Sequence, residues 1–385
     1  MKQIKGLIKN IDTTVIGKFC TYNNIFKSNK VLACSKKPLF EIGINAYIVP
    51  KGKVFKTNKP IIETDDNLPF VQGDIINITP CGTATVIWEA DTPHHALYVT
   101  DICNSKCIMC PQIEGASTHY DECMALLDLV DFKELPSIGI TGGEPTLNIN
   151  KLIDVLTKIA KKSPGQKVHI LTNGRNFARK DVVEKIASVK GVKVSYGIPL
   201  YSDIAEEHDY IVGVKGAFVE TIQGIYNLGR YNQNIEIRTV ILRQNYSKLK
   251  SLATYIYRNM PFVNHIALMS MEYHGNAEIN YNLVAIDPVE YKTELFEAVR
   301  EYVRYNMVVD VYNTPLCLVD SRIKEFCKDS ISTWKKTYLP QCESCIYKSD
   351  CSGVFETSFK HSEHIKPIEA TLTCNGTYND KENNN

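Results

Sequence analysis

No stretch of the 385 residues approaches the roughly eighteen consecutive apolar side chains that a membrane-spanning helix needs, so no membrane span is expected. No secretory signal opens the chain: MKQIKGLIKNIDTTVIGKFC alternates polar and apolar residues without a sustained apolar core. Charge of one sign is missing too. The 44 Lys and Arg face 43 Asp and Glu, a formal net charge of +1, which gives no strong field for nucleic acid or an anionic membrane while leaving room for a local basic groove. No internal repeat is visible. These absences point to a soluble cytoplasmic protein, in which the 13 cysteines are poor candidates for disulfides and better ones for metal or cluster ligation.

The cysteines are absent from the whole middle of the chain, between Cys123 and Cys317. Cys103, Cys107 and Cys110 stand together before the gap. Cys317, Cys327, Cys342, Cys345, Cys351 and Cys374 follow it. Cys20, Cys34, Cys81 and Cys123 are isolated and are expected to be buried small apolar residues. Two metal regions flanking a cysteine-free body are therefore expected. The length suits two or three domains, and the 44% apolar and 23% charged content is that of a globular protein.

The rhythm of the sequence divides the chain. Residues 1–94 carry short β-prone runs, AYIVP, KVFK, DIINITP and TATVIWEA, broken by Gly, Pro, Asn and Asp. From residue 95 to 305, strands and helices alternate about six times: ALYVT, SIGIT, KVHILT, KVSYGIPL, IEIRTVIL and HIALMSM against helices such as KLIDVLTKIAKK and AFVETIQGIYNLGRY. Such alternation predicts an α/β fold with a parallel sheet, here a partial (β/α)6 barrel like that of the TIM fold, with a β-rich N-terminal domain before it. A small cysteine-rich domain is expected over 306–374, and a disordered polar tail over 375–385. In such barrels the chemistry gathers at the carboxyl ends of the strands.

The stretch CNSKCIMCPQ holds three cysteines spaced C-x3-C-x2-C. An iron–sulfur cubane normally takes four thiolates, so three close thiols leave one iron free for an exogenous ligand, as open catalytic metal sites require. A structural zinc site is the alternative for that spacing alone. Downstream, ITGGEPTL follows an apolar strand with two glycines and a glutamate. The glycines let a ligand approach the backbone, and Glu144 offers acceptors to an ammonium group. On successive βα units, the two motifs together are highly specific.

Over residues 95 to 275 this combination resembles the radical SAM enzymes. The resemblance implies that Cys103, Cys107 and Cys110 ligate a [4Fe–4S] cluster and that S-adenosylmethionine (SAM) chelates the fourth iron. Reductive cleavage of SAM would then give a 5′-deoxyadenosyl radical that abstracts a substrate hydrogen. It also implies that Gly142, Gly143 and Glu144 meet the methionine amino group, that Thr172 and Asn173 reach the ribose, and that Arg238 pairs with the SAM carboxylate, a bidentate fit that suits arginine. Met109 either lies near the adenine or packs the loop. Ser195 starts its strand too early for a ribose contact, and His208-Asp209 is similar to a structural segment of peptide-modifying members.

After the gap, Cys342, Cys345 and Cys351 read C-x2-C-x5-C, with Cys317 upstream. This resembles the auxiliary-cluster regions called SPASM and twitch, although Phe355 stands where a full SPASM has another cysteine. The resemblance implies one auxiliary [4Fe–4S] cluster on Cys317, Cys342, Cys345 and Cys351, with Cys327 and Cys374 as substitutes; the same thiols would also suit zinc.

Two longer stretches, GDIINITPCGTATVIWEADTPHHALYVTDICNSKCIMCPQ and YNTPLCLVD with SISTWKKTYLPQCESCIYKSDCSGVFETS, are similar to the His-Xaa-Ser system radical SAM maturases of the HxsC type. The continuation PQIE departs from the family's SQPP-like pattern. This likeness implies a ribosomally made peptide substrate with His-Xaa-Ser repeats, a partner radical SAM protein, and an electron donor such as flavodoxin or ferredoxin. A radical SAM enzyme acting on RNA or a small metabolite, and a non-catalytic metal-binding scaffold, are the competing readings; the near-zero net charge disfavours nucleic acid.

Overall fold

A computed structural model describes every residue except 1, 25, 66, 93, 113, 134, 373–377 and 381–385. Two eight-stranded sheets carry the molecule. The first runs in the order Gln3–Lys5, Thr83–Trp88, Ile75–Ile78, Val15–Cys20, Lys30–Ala33, Ile44–Pro50, Ile61–Thr64, Leu7–Lys9. Its first and last members are consecutive in sequence, separated only by Gly6. One extended segment thus pairs on one side with Thr83–Trp88 and on the other with Ile61–Thr64, and the sheet closes on itself. At position 6 a side chain has no room, because a Cβ would collide with the Glu63 carbonyl.

Alternation along these strands builds the closed sheet's core. Phe19, Val31, Ile48, Ile62, Ile76 and Ile78 fill one side, while Cys20, Leu32, Tyr47 and Val49 face the other. The run KVFK, expected as a strand, is instead a loop that lays Val54 and Phe55 over this outer cluster. Its side chains reach apolar cover without a ladder partner. Of the isolated cysteines, Cys20 and Cys123 are buried as expected, Cys34 is half-buried, and Cys81 is exposed, because it sits in the turn between two strands of the closed sheet.

The second sheet is wholly parallel. Strand β1 (His95–Tyr98) leads through the cysteine loop to α1 (Tyr120–Leu129). Then come β2 (Ile138–Thr141), α2 (Ile149–Lys162), β3 (Gln166–Leu171), α3 (Lys180–Ala187), β4 (Val192–Pro199), α4 (Ala205–Val212), α5 (Ala217–Arg230), β5 (Asn234–Val240), α6 (Leu249–Asn259), β6 (His265–Met269) and α7 (Lys292–Arg304). The helices form because one stripe of each is apolar. In α2, Leu152, Val155, Leu156 and Ile159 recur at i, i+3, i+4 and i+7 and are all buried, and the Asn148 side chain caps the N-terminus by accepting from Lys151 N at 3.2 Å.

The six anticipated strands are joined by two more, β7 (Val309–Tyr312) and β8 (Cys327–Lys328). The sheet therefore continues into residues expected to belong to the cysteine-rich region. VVDVY was overlooked because it is short and follows a strong helix. Among the described residues no helix is long and apolar enough to cross a membrane.

Sheet alternation also decides what faces inward. Val168, Ile170, Tyr196, Ile198, Ile235, Ile237, Ile266 and Leu268 point to the helices and form the main core. Their sequence neighbours line the concave face. The C-terminal segment is built of short turns and a two-stranded ribbon, Lys336–Thr337 with Val354–Phe355. It is fastened to the end of β6 through Glu272, whose carboxylate accepts from Lys335 Nζ at 2.8 Å and from Thr357 Oγ1 at 2.5 Å. Of the expected tail, Tyr378–Asp380 pairs with Ala370–Leu372; Cys374 lies outside the described residues.

Candidate functional site

The carboxyl ends of β1, β2 and β3 meet at one place. The turn after β2 is pressed against the start of the cysteine loop: Gly143 N donates to Thr100 O at 2.7 Å and Glu144 N to Ile102 O at 2.8 Å. Contact this close excludes side chains. At Gly142, with φ of 147°, a Cβ would meet the Thr100 carbonyl, and at Gly143 it would meet that of Ile102. The two glycines thus serve to bring the motif and the cysteine loop together.

Glu144 is fully buried. Its Oε1 accepts from Thr146 N at 2.9 Å, Thr146 Oγ1 at 2.5 Å and Thr172 Oγ1 at 2.7 Å, and its Oε2 accepts from Asn173 N at 2.6 Å. Burial raises its pKa above the usual carboxylate range, while these four donors oppose the rise. The carboxylate expected to receive an ammonium group is thus committed to the chain itself, and it ties the end of β2 to the end of β3. Thr172 and Asn173, expected at a ribose, are the other half of this tie.

From Asn173 the network reaches the cysteine loop. Its Nδ2 donates to Asn104 Oδ1 at 2.6 Å and Ser105 Oγ at 3.2 Å, and Arg175 donates to Asn104 O at 2.5 Å. The far side of the loop hangs on α4, with Lys106 N bonded to Val212 O at 2.9 Å and Ile108 N to Ile211 O at 3.0 Å. A third support comes from the segment after β6. There Asn276 Nδ2 donates to Cys107 O at 3.0 Å and Asn280 Nδ2 to Ile108 O at 2.8 Å. Asn104, Ser105, Arg175, Asn276 and Asn280 were missed from sequence. Only Arg175, next to the LTNG turn, carried a local signal; the two asparagines lie more than 160 residues from the loop they hold.

The loop rests on an apolar bed that includes Met109, Tyr201, Val212, Leu242 and Met271. Met109 is buried there and so packs the loop. Burial pushes the Cys107 thiol up to about 12, with Cys110 and Cys103 adding to the rise, and Cys103 and Cys110 are also raised by burial. Such thiols stay neutral until a cation stands among them. Cys103 Sγ already accepts a backbone N–H, from Ser105 at 3.4 Å, the kind of bond that tunes sulfur ligands of iron. Three half-buried thiols on one rigid loop, with backbone donors and an apolar floor, fit an iron–sulfur cluster.

His208 and Asp209 are structural, as expected. Asp209 accepts from Gly216 N at 2.5 Å and Phe218 N at 2.7 Å, capping α5. The His208 Nδ1 accepts from Tyr201 N at 3.3 Å. Arg238 is held by Glu236 Oε1 at 2.5 Å and the Met269 sulfur at 2.9 Å, within the concave face. Ser195 lies within β4, its hydroxyl 3.0 Å from His169 Nδ1.

A second thiol group lies in the C-terminal segment. Cys317, Cys342, Cys345 and Cys351 line one cavity with Pro315 and Tyr338. Backbone N–H groups point at two of the sulfurs, Leu316 N to Cys351 at 3.5 Å and Ile368 N to Cys345 at 3.4 Å. Cys327 is outside this lining and bonds instead to Ile323 O at 3.6 Å from β8. Among the described residues no three His, Cys, Asp or Glu side chains are gathered as a single metal ion needs.

Comparison with known proteins agrees with this geometry. Residues 97–256 match the family model described as the radical SAM superfamily. The Fe-coproporphyrin III synthase of Methanosarcina barkeri is 32% identical over 153 residues, covering 38% of this chain and 36% of that one. The AdoMet-dependent heme synthase of the same organism is 28% identical over 157 residues, covering 38% of this chain and 42% of its own. The chain thus spans well under half the length of either relative. SuiB of Streptococcus suis, a solved structure, overlaps 57% of this chain and 49% of its own with a TM-score of 0.44 and 17% identity. The matched residues 97–256 carry both the cysteine loop and the double-glycine turn, and over that segment the chain is similar to the radical SAM superfamily.

Proposed function

We propose that this protein is a radical SAM enzyme that cleaves SAM reductively and uses the resulting 5′-deoxyadenosyl radical to abstract hydrogen from a ribosomally made peptide. The observation that carries the first half is the pair of backbone bonds that press the GGE turn onto the three-cysteine loop. Cys103, Cys107 and Cys110 would hold the [4Fe–4S] cluster, which when bound supplies the electron and an open iron corner. Gly142 and Gly143 let the turn close on the cysteine loop, beside which the methionine end of SAM would lie. Glu144, Thr172 and Asn173 position that turn. Arg238, already engaged by Glu236, is left out of the SAM set.

The C-terminal thiols Cys317, Cys342, Cys345 and Cys351 are assigned to one auxiliary [4Fe–4S] cluster. What supports this is their common cavity and the backbone donors aimed at two of them. The Glu272 clamp would hold that segment over the end of the sheet and keep water from a carbon radical. The peptide reading, with His-Xaa-Ser repeats as the specific substrate and a second radical SAM protein as partner, is supported by the likeness of residues 70 to 360 to those maturases.

Anaerobic reconstitution with iron and sulfide, followed by reductant and SAM, tests the core of this reading. Formation of 5′-deoxyadenosine is expected. Zinc alone at the three N-terminal thiols, with SAM left intact, would refute it. Mass spectrometry of a His-Xaa-Ser repeat peptide from the same assay tests the substrate; an unchanged peptide beside continued SAM cleavage sends the search to RNA or small metabolites.

A further inference from the structure

A net charge of +1 for the whole chain conceals one strongly basic stretch. Residues 21–60 carry eight lysines, no arginine and one acid, Glu41. This stretch holds the three crossovers that join the parallel strands Val15–Cys20, Lys30–Ala33, Ile44–Pro50 and Ile61–Thr64 of the closed sheet. The crossovers are tied to one another as a layer over the sheet's outer cluster. Asn23 Nδ2 in the first donates to Phe40 O in the second at 2.8 Å, and Lys30 N donates to Gly43 O at 2.9 Å. Buried Lys30 donates through Nζ to Asn23 Oδ1 at 2.7 Å and to Asn24 O at 2.6 Å. The second and third crossovers meet at Glu41, whose Oε1 accepts from Thr57 Oγ1 at 2.7 Å and from the Tyr47 hydroxyl at 2.8 Å. Lys37 Nζ adds a bond to Lys56 O at 3.1 Å.

The layer turns Cys34, Val54 and Phe55 inward onto the sheet and large apolar side chains outward. Phe26 is 93% exposed and Leu39 96%, with Tyr22, Phe40 and Ile42 between 57 and 60%. Exposed apolar groups gathered in this way mark a surface that meets something else. Around them stand the exposed Lys27, Lys36, Lys37, Lys51, Lys53 and Lys56, while the one acid is spent inside the layer. The partner is therefore anionic and has an apolar interior within reach. Side chains exposed to this degree have no groove walls around them, as a bound peptide would need, and the ring leaves no free edge for strand addition. Protein interfaces and phosphate readers favour arginine, and interfaces are depleted in lysine; the stretch has lysine alone. Aliphatic tips such as Leu39 and Ile42 also offer no ring for a base to stack on. Lysines ringing protruding apolar side chains suit an anionic bilayer, where ammonium groups meet headgroups and the tips enter the acyl boundary.

We infer that the crossover layer of the N-terminal sheet docks the protein on an anionic lipid surface, with Phe26 and Leu39 inserted and the surrounding lysines on the headgroups. The docking is peripheral, and it is independent of the chemistry at the thiols.

The test is co-sedimentation of the full, anaerobically reconstituted chain with vesicles of phosphatidylcholine alone or of phosphatidylcholine and phosphatidylglycerol in equal parts. The anionic vesicles are expected to bind about tenfold or more tighter than the neutral ones, and less tightly as salt is added. Phe26→Ser with Leu39→Ser is expected to lose about tenfold or more by removing the inserted tips. Lys36→Glu with Lys53→Glu is expected to lose about tenfold or more by reversing two charges. All four positions are exposed, so each pair should melt as the wild type does by circular dichroism. Failure of the wild type to sediment with the anionic vesicles would overturn the inference, as would equal binding by the wild type and both pairs. Binding that survives the serine pair but not the glutamate pair would overturn insertion. Capture of polyglutamate or of single-stranded DNA in place of the vesicles would overturn the lipid surface and give the layer to an acidic polypeptide or to nucleic acid.

Discussion

The backbone N–H of Asn173 donates to Oε2 of the buried Glu144 at 2.6 Å, and through this bond the strand end carrying the double-glycine turn is locked to the next strand end. Glu144→Gln keeps the shape but turns an amide NH2 toward donors. At least one of the four bonds would be lost and a buried N–H left facing another. We expect a loss of about 2 kcal/mol or more in unfolding free energy, read by chemical denaturation. SAM affinity should fall about tenfold or more, as for other residues that support a binding loop from behind, read by calorimetry.

The two thiol groups separate in mutants. Cys103→Ala should abolish 5′-deoxyadenosine formation outright. Cys345→Ala should lower iron content by about half, spare SAM cleavage without substrate and stop product formation. Iron assay, visible absorption and product mass spectrometry distinguish these outcomes, and intact product formation by Cys345→Ala would remove the auxiliary group from the chemistry.

A residue far from any thiol in sequence should disturb the first site as strongly as a ligand does. Gly213 ends α4 with φ of 72°, and a Cβ there would collide with the carbonyl of Lys106 in the cysteine loop. Gly213→Ala combines the left-handed conformation with this overlap, at a cost of roughly 2 kcal/mol or more. Reconstituted iron at the N-terminal site should fall while the C-terminal site fills normally.

His208 gives the protein an acid-sensitive point. Burial lowers its pKa to about 4, and its Nδ1 is engaged as acceptor for Tyr201 N. In the unfolded chain the ring titrates near the ordinary value of about 6.5. Between these values the unfolded chain binds the additional proton, so stability must fall as pH drops from about 6.5 to 4, by roughly 3 kcal/mol across the window. Denaturation midpoints measured over this range should slope in the wild type, and His208→Gln should remove about one proton from that slope.

Much of this was legible in the residues. The strands and helices from 95 to 305 follow from period-2 and period-3.6 patterns, and the cysteine loop and GGE turn announce themselves by spacing. Four C-terminal thiols that the resemblance to auxiliary-cluster regions grouped together line one cavity. What could not be read is long-range. Asn276 and Asn280 hold the cysteine loop from the far end of the sheet, and nothing local marks an asparagine for that task. The two added strands were too short for a periodic signal. The burial of Glu144 and its bonds to Thr172 and Asn173 could not be read because those donors come from another strand.

The N-terminal sheet is a ring whose joint is a single short segment, residues 3 to 9, pivoting at Gly6 and bonded to neighbours on both flanks. Clipping those residues would do more than shorten the chain. It would cut the ring at two seams and bare two rows of unpaired amides along Thr83–Trp88 and Ile61–Thr64, a template for sticking to other chains. A bulky tag or a protease acting at the amino end would therefore show itself first as self-association, before any change at the thiols.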